Sequence, residues 1–255
     1  MRRLVAVVLA VVTMAGCATT GETHAARADG PGASAGASPG ADVSEEVFRG
    51  ALMHARSQAT TAVVSFVATN AGPELISASG RVDFGTDPIS FSLTTYQGQE
   101  TVSLISVAGV AYVRDPQQGP MFVRFELEDP ENPFGALGGQ IDPEVAYAEL
   151  AEGVVSIVAE DLEVGGEALR VYAVTVDPAL LTAPPDTFDG GELPETVEYQ
   201  WSFDDRGQLR KVEADLGPGV AGYRYSFANW GEVDGISPPP RELVVRAPGS
   251  TGAQA

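Results

Sequence analysis

The chain is poor in the residues that build reactive sites. Its 255 residues include one cysteine, two histidines and two tryptophans. A single cysteine excludes an internal disulfide framework and a cysteine-rich zinc site. Two histidines leave little for a histidine metal cluster. Basic residues are scarce too, 15 against 35 acidic, for a formal charge of -20. That deficit argues against nucleic-acid binding, which needs a basic footprint. No apolar run approaches the roughly 20 residues that span a bilayer. A P-loop and an HExxH motif are both missing. What is present is a 44% hydrophobic fraction, enough to exclude wholesale disorder.

The N-terminus carries the most specific signal. Arg2 and Arg3 precede an unbroken apolar run from Leu4 to Val12. This has the form of a secretory signal. It ends Met14-Ala15-Gly16-Cys17, which matches a bacterial lipobox. The match implies removal of residues 1–16 and diacylglyceryl attachment at Cys17, with N-acylation as a further step. The alternative is an ordinary signal peptide with a chance cysteine. Two or three acyl chains would anchor the protein stably. Loss of Arg2 and Arg3 takes the charge to -22. The expected location is the extracytoplasmic face of the plasma membrane.

Residues 17–41 read as the lipidated cysteine and a tether. Residues 18–41 hold 17 Ala, Gly, Ser or Pro out of 24. Such a coil spans roughly 27 Å. Residues 42–236 form the expected domain. Residues 237–255, opening Ser237-Pro238-Pro239-Pro240, read as a loose tail with a short extended piece at 243–245.

The domain opens with a helix capped at Asp42 or Ser44, with Val47, Phe48, Ala51, Leu52 and Ala55 at helical spacing. Strand patterns follow at 60–68, 75–84, 89–94, 101–107, 110–114 and 121–126. Ile89, Phe91 and Leu93 alternate with Ser90, Ser92 and Thr94. Residues 129–135 read as loop. Asp142-Pro143 then starts a helix through Leu150. A hairpin at 154–164 and 168–176 turns on Gly165-Gly166. A short helix at 177–181 precedes strands at 195–204, 208–216 and 222–230. The expected class is α+β: a large curled antiparallel sheet, a half-barrel of ten or eleven strands around two or three helices. So few helices cannot obviously fill the concave face of so long a sheet, so a cavity is expected.

The order of elements resembles the LppX/LprAFG lipoproteins, relatives of the LolA and LolB carriers. Trp201, Asp204, Gly207, Leu209 and Val212 match that family's W-x-x-D-x-x-G-x-L-x-x-V hairpin. Tyr223 to Phe227 and Asn229-Trp230-Gly231-Glu232 resemble its closing strand, with Val233 where proline is common. Pro133 to Leu137 and Gly165-Gly166-Glu167 also fit. The resemblance covers about residues 42–236. It implies a hydrophobic cavity for lipids or lipoglycans, an envelope transporter as a candidate partner, and no catalytic residues. A non-enzymatic sensor or interaction module with a filled core is the alternative. An uncharacterised enzyme ranks below both.

A carrier of acyl chains needs apolar area. Sixteen buried carbons represent about 12 kcal/mol gross. The expected cavity-lining residues are Val64, Phe66, Ile89, Phe91, Leu93, Val102, Leu104, Tyr199, Trp201, Phe203, Tyr223, Tyr225 and Phe227. The alternative at each position is ordinary core, packed against the helices. No cofactor or metal site is expected, and the expected form is a monomer. His54 reads as a surface histidine. Asp186, Asp189 and Glu192 around Gly190-Gly191 could hold calcium but lack EF-hand spacing.

Overall fold

The structure is a computed structural model that describes residues 40–58, 60–70, 74–98, 100–127, 141–182, 194–215 and 221–246. The signal, Cys17, the 129–135 loop and the acidic loop at 186–192 lie outside these residues.

Two antiparallel meanders make up most of the molecule. The first is β2 (Thr61–Asn70), β3 (Glu74–Asp83), β4 (Ser90–Gln97), β5 (Glu100–Val107), β6 (Val110–Arg114) and β7 (Phe122–Glu126). The second is β8 (Val154–Val164), β9 (Glu167–Val176), β10 (Val197–Asp204), β11 (Leu209–Asp215) and β12 (Ala221–Ala228). Strands β12 and β2 pair, so both meanders join one sheet. Short strands complete its edges: β1 (Ala41–Asp42) on β8 and β13 (Val244–Arg246) on β7. The order is β1-β8-β9-β10-β11-β12-β2-β3-β4-β5-β6-β7-β13, an unclosed sheet of 13 strands. Among the described strands only β13 is parallel to its neighbour.

The expected curled sheet is therefore present. The count rises from ten or eleven to 13 because both edge strands are too short to show a period of two. Strand β13 pairs with β7 from within the stretch read as tail, at 244–246.

Alternation sets the inner face. Ala62, Val64 and Ala68 are buried on β2, Phe91 and Leu93 on β4, and Val102 and Leu104 on β5. The second meander adds Val174 and Val176 on β9 and Tyr199, Trp201 and Phe203 on β10. Two α-helices cover part of this face. Helix α1 (Glu45–Gln58) buries Phe48, Leu52 and Ala55. Its acidic first turn and Arg56 in its last turn suit the helix dipole. Helix α2 (Pro143–Leu150) buries Tyr147 and Leu150. Asp142 caps it by accepting from the Glu144 N–H at 3.0 Å.

Phe48 is where helices and sheet meet. Its ring lies 4.8 Å from Tyr147 on α2, 5.2 Å from Tyr172 on β9 and 5.5 Å from Trp201 on β10. These edge and tilted contacts add to area burial. The sheet end reached by the α1 C-terminus is closed by Phe84, Phe227 and Trp230, with Phe84 stacked on Trp230 at 5.6 Å. The Trp230 indole N–H donates to the Leu209 carbonyl at 2.8 Å.

Phe48→Ala should cost about 3–5 kcal/mol. Urea unfolding measures this. A loss below about 1 kcal/mol would show that α1 is not held by this contact.

Candidate ligand cavity

The cross-strand register brings the tyrosines together. Tyr199 on β10 opposes Ala214 on β11, which opposes Tyr223 on β12. Tyr225 opposes both Val212 and Phe66 on β2. The Phe66 and Tyr225 rings lie 4.7 Å apart, Tyr223 and Tyr225 5.8 Å, and Tyr199 and Tyr223 6.3 Å. This aromatic wall sits towards the sheet end opposite Trp230.

The 13 expected residues separate into two groups. Val64, Ile89, Phe91, Leu93, Val102, Leu104, Tyr199, Trp201, Phe203 and Phe227 are all buried in one contiguous core cluster. Phe66, Tyr223 and Tyr225 share the inner face but are only half-buried. Ile89 precedes β4 rather than lying in it.

The phenols of the wall are strongly desolvated. Burial pushes the Tyr199 hydroxyl up to about 12, opposed by a hydrogen bond from Tyr223. Burial also holds Tyr223 and Tyr225 well above their usual value, and the charges of Tyr199, Tyr225 and Glu149 reinforce the effect at Tyr223. On α2, burial followed by the nearby Glu45 charge raises Tyr147 to about 12. Glu45 and the Arg49 guanidinium both reach its hydroxyl. Among the described residues the Trp201 indole N–H is buried without a hydrogen-bond partner, which costs about 1–3 kcal/mol.

A second feature was invisible in the sequence. Arg56 ties α1 to the start of α2, with its guanidinium 2.7 Å from Glu144 and 3.3 Å from Asp142. It also donates to the Phe84 carbonyl at 3.4 Å. Beside it a shallow cleft of ≈ 310 Å³, open solvent included, is lined by Leu52, Phe84, Leu209 and Trp230 among others. The cation is already matched by two carboxylates. The helix-cap signal at 142–143 was legible, but a partner 86 residues away was not.

Other titratable groups have structural roles. His54 is exposed, 3.3 Å from Gln58 and against the β10–β11 turn. In that turn Gly207 takes φ +76°, which suits glycine. Asp204 accepts from the Arg206 and Gln208 N–H groups at 3.0 and 2.8 Å, so it shapes the hairpin. Among the described residues no group of three His, Cys, Asp or Glu could hold a metal, and no helix is long and apolar enough to cross a membrane.

No protein-family model matches the chain, and no curated protein does. Among solved structures it is similar to LprF from Mycobacterium bovis, at 14% identity and TM-score 0.51, over 78% of this chain and 99% of that one. It is similar also to the Mycobacterium tuberculosis lipoprotein LppX, at 14% identity and TM-score 0.50, over 76% and 100%. The chain has the LppX and LprF fold. Coverage of both relatives is essentially complete, so the LppX-type fold accounts for both meanders and not for one alone.

The buried phenols generate a pH dependence. For Tyr147 and Tyr199 the folded value lies above the ordinary tyrosine value of 10.0. The folded state therefore holds protons that the unfolded chain has lost. Stability should be fully present below about pH 10 and fall as pH rises towards 12, by up to about 3 kcal/mol per phenol. Urea midpoints at about pH 9 and pH 11.5 test this. Equal midpoints would contradict it.

Proposed function

We propose that the protein is a membrane-anchored extracytoplasmic lipoprotein that binds and carries lipid or acylated glycolipid between its sheet and its helices. One observation carries this reading. Phe66, Tyr223 and Tyr225 keep accessible surface on the inner face, while the Tyr223 and Tyr225 hydroxyls are strongly desolvated. A wall facing an enclosed space combines these properties; a wall facing bulk water does not. The LppX-type fold and the lipobox at Cys17 support it. The role consists of binding and release, with no chemical step.

Apolar surface from Phe66 would receive acyl chains, and each methylene transferred contributes roughly 0.8 kcal/mol. The phenols nearby give a polar end for a headgroup or ester. The ten buried candidates act as the core that keeps the sheet curled. Their packing is the observation that favours the other reading, an interaction module with a filled interior.

Organic extraction of Cys17→Ser protein followed by mass spectrometry separates the two. The carrier should release about one lipid per chain, and Phe66→Asp should lower that by about tenfold or more while the protein stays folded. Lipid-free protein would contradict the carrier. Leu93→Asp serves as the contrast, because a charge at a core position should unfold the domain rather than empty it. Cys17→Ser should also leave the membrane fraction; retention there would contradict the anchor.

A further inference from the structure

The sheet segregates charge on its outer face. One register row runs Arg81–Ser92–Ile105–Tyr112–Arg124–Arg246 across β3, β4, β5, β6, β7 and β13. It contains three arginines and no acid. Arg114 lies in the adjoining row, donating to the Ser103 hydroxyl at 3.2 Å, with its guanidinium over the Phe122 ring at 4.9 Å. Arg81 and Arg246 are exposed; Arg114 and Arg124 are half-buried. Acids on this face fall in the row beyond, at Asp83 and Glu126, and Glu126 pairs with Arg124 at 2.6 Å.

The other meander has the opposite sign. Its outer face carries Glu160, Glu167, Glu198 and Glu213; its cations Lys211 and Arg224 are both tied to Glu213, and Arg210 lies 3.8 Å from Glu167. In a chain of charge -20, a row of arginines is a departure from the average. It also works against folding, since Arg124 and Arg246 are direct cross-strand partners and like charges there are destabilising.

We infer that the outer face of β3–β7 and β13 is a docking surface for an anionic bilayer. The row spans five inter-strand steps, roughly 24 Å. That breadth fits an array of headgroup phosphates better than one bound anion. Arginine suits phosphate through its planar fork. The opposed faces give the domain an electrical orientation, with the basic face turned to the lipid and the acidic face away. The 24 residues from Cys17 to Gly40 reach at most roughly 80 Å, so an anchored domain has room to turn. The inference rests on the anchoring proposed above.

The test uses the lipidated full chain in vesicles. Ser79→Cys places a label on the basic face and Gln200→Cys places one on the acidic face; both sites are exposed. Lipidation blocks the sulfur of Cys17, the one native cysteine, so the introduced thiol alone reacts. A bimane label is read against nitroxide-headgroup lipid. With about 30% phosphatidylglycerol, the label at position 79 should be quenched at least several-fold more than that at 200. Each arginine near the surface contributes about fivefold in affinity. The difference should vanish in R114Q/R124Q/R246Q and in about 0.5 M salt. Equal quenching of the two labels, the same result in pure phosphatidylcholine, or a difference that survives the triple variant would overturn the inference. Intact mass of the same sample reports whether Cys17 carries lipid. If it does not, the same two labels on a Cys17→Ser background read the face against added vesicles, so failure of the anchor and failure of the face remain distinct.

Discussion

Phe48 holds the architecture together. A sheet of 13 strands with one apolar face must curl and must cover that face. Helix α1 enters the concavity and seats one ring against Tyr147, Tyr172 and Trp201. That contact joins α1, α2, β9 and β10. The Arg56 clasp to Asp142 and Glu144 fixes the same two helices at the other end of α1. Between these fixed points, and the Phe84–Phe227–Trp230 stack, the helices have one position relative to the sheet. The tyrosine wall lies towards the opposite end, where Phe66, Tyr223 and Tyr225 remain half-buried.

The proposed function depends on this unequal coverage. A fully packed interior would have no room for a ligand, and an open sheet would expose its apolar face to aggregation. A carrier needs a rigid core at one end and a desolvated wall at the other. The Trp201 N–H, without a hydrogen-bond partner among the described residues, sits where helices and sheet meet.

Most elements were legible because their signals are local. The alternation at 89–94, the Asp142-Pro143 cap, and the Gly165-Gly166 and Gly207 turns are written in neighbouring residues. They predict boundaries within a few residues of β4, α2, β8, β9 and β10. Strands β1 and β13 were not counted because two or three residues carry no period. The division of the 13 inward residues could not be read, since Leu93 and Phe66 have the same alternation and differ only in what lies opposite. The arginine row was also hidden. Arg81, Arg124 and Arg246 are spread over 165 residues, and only the register aligns them.

The central claim is that apolar space faces the Phe66–Tyr225 wall. It is tested most directly by titrating the lipid-free protein with a polyene fatty acid that accepts tryptophan emission. Trp201 and Trp230 are the only donors in the chain. The account predicts saturable energy transfer at about one acyl chain per protein, competed away by an unlabelled acylated lipid and retained in Trp230→Phe because Trp201 lies on the same inner face as the wall. Absence of saturable transfer from a folded protein would contradict it.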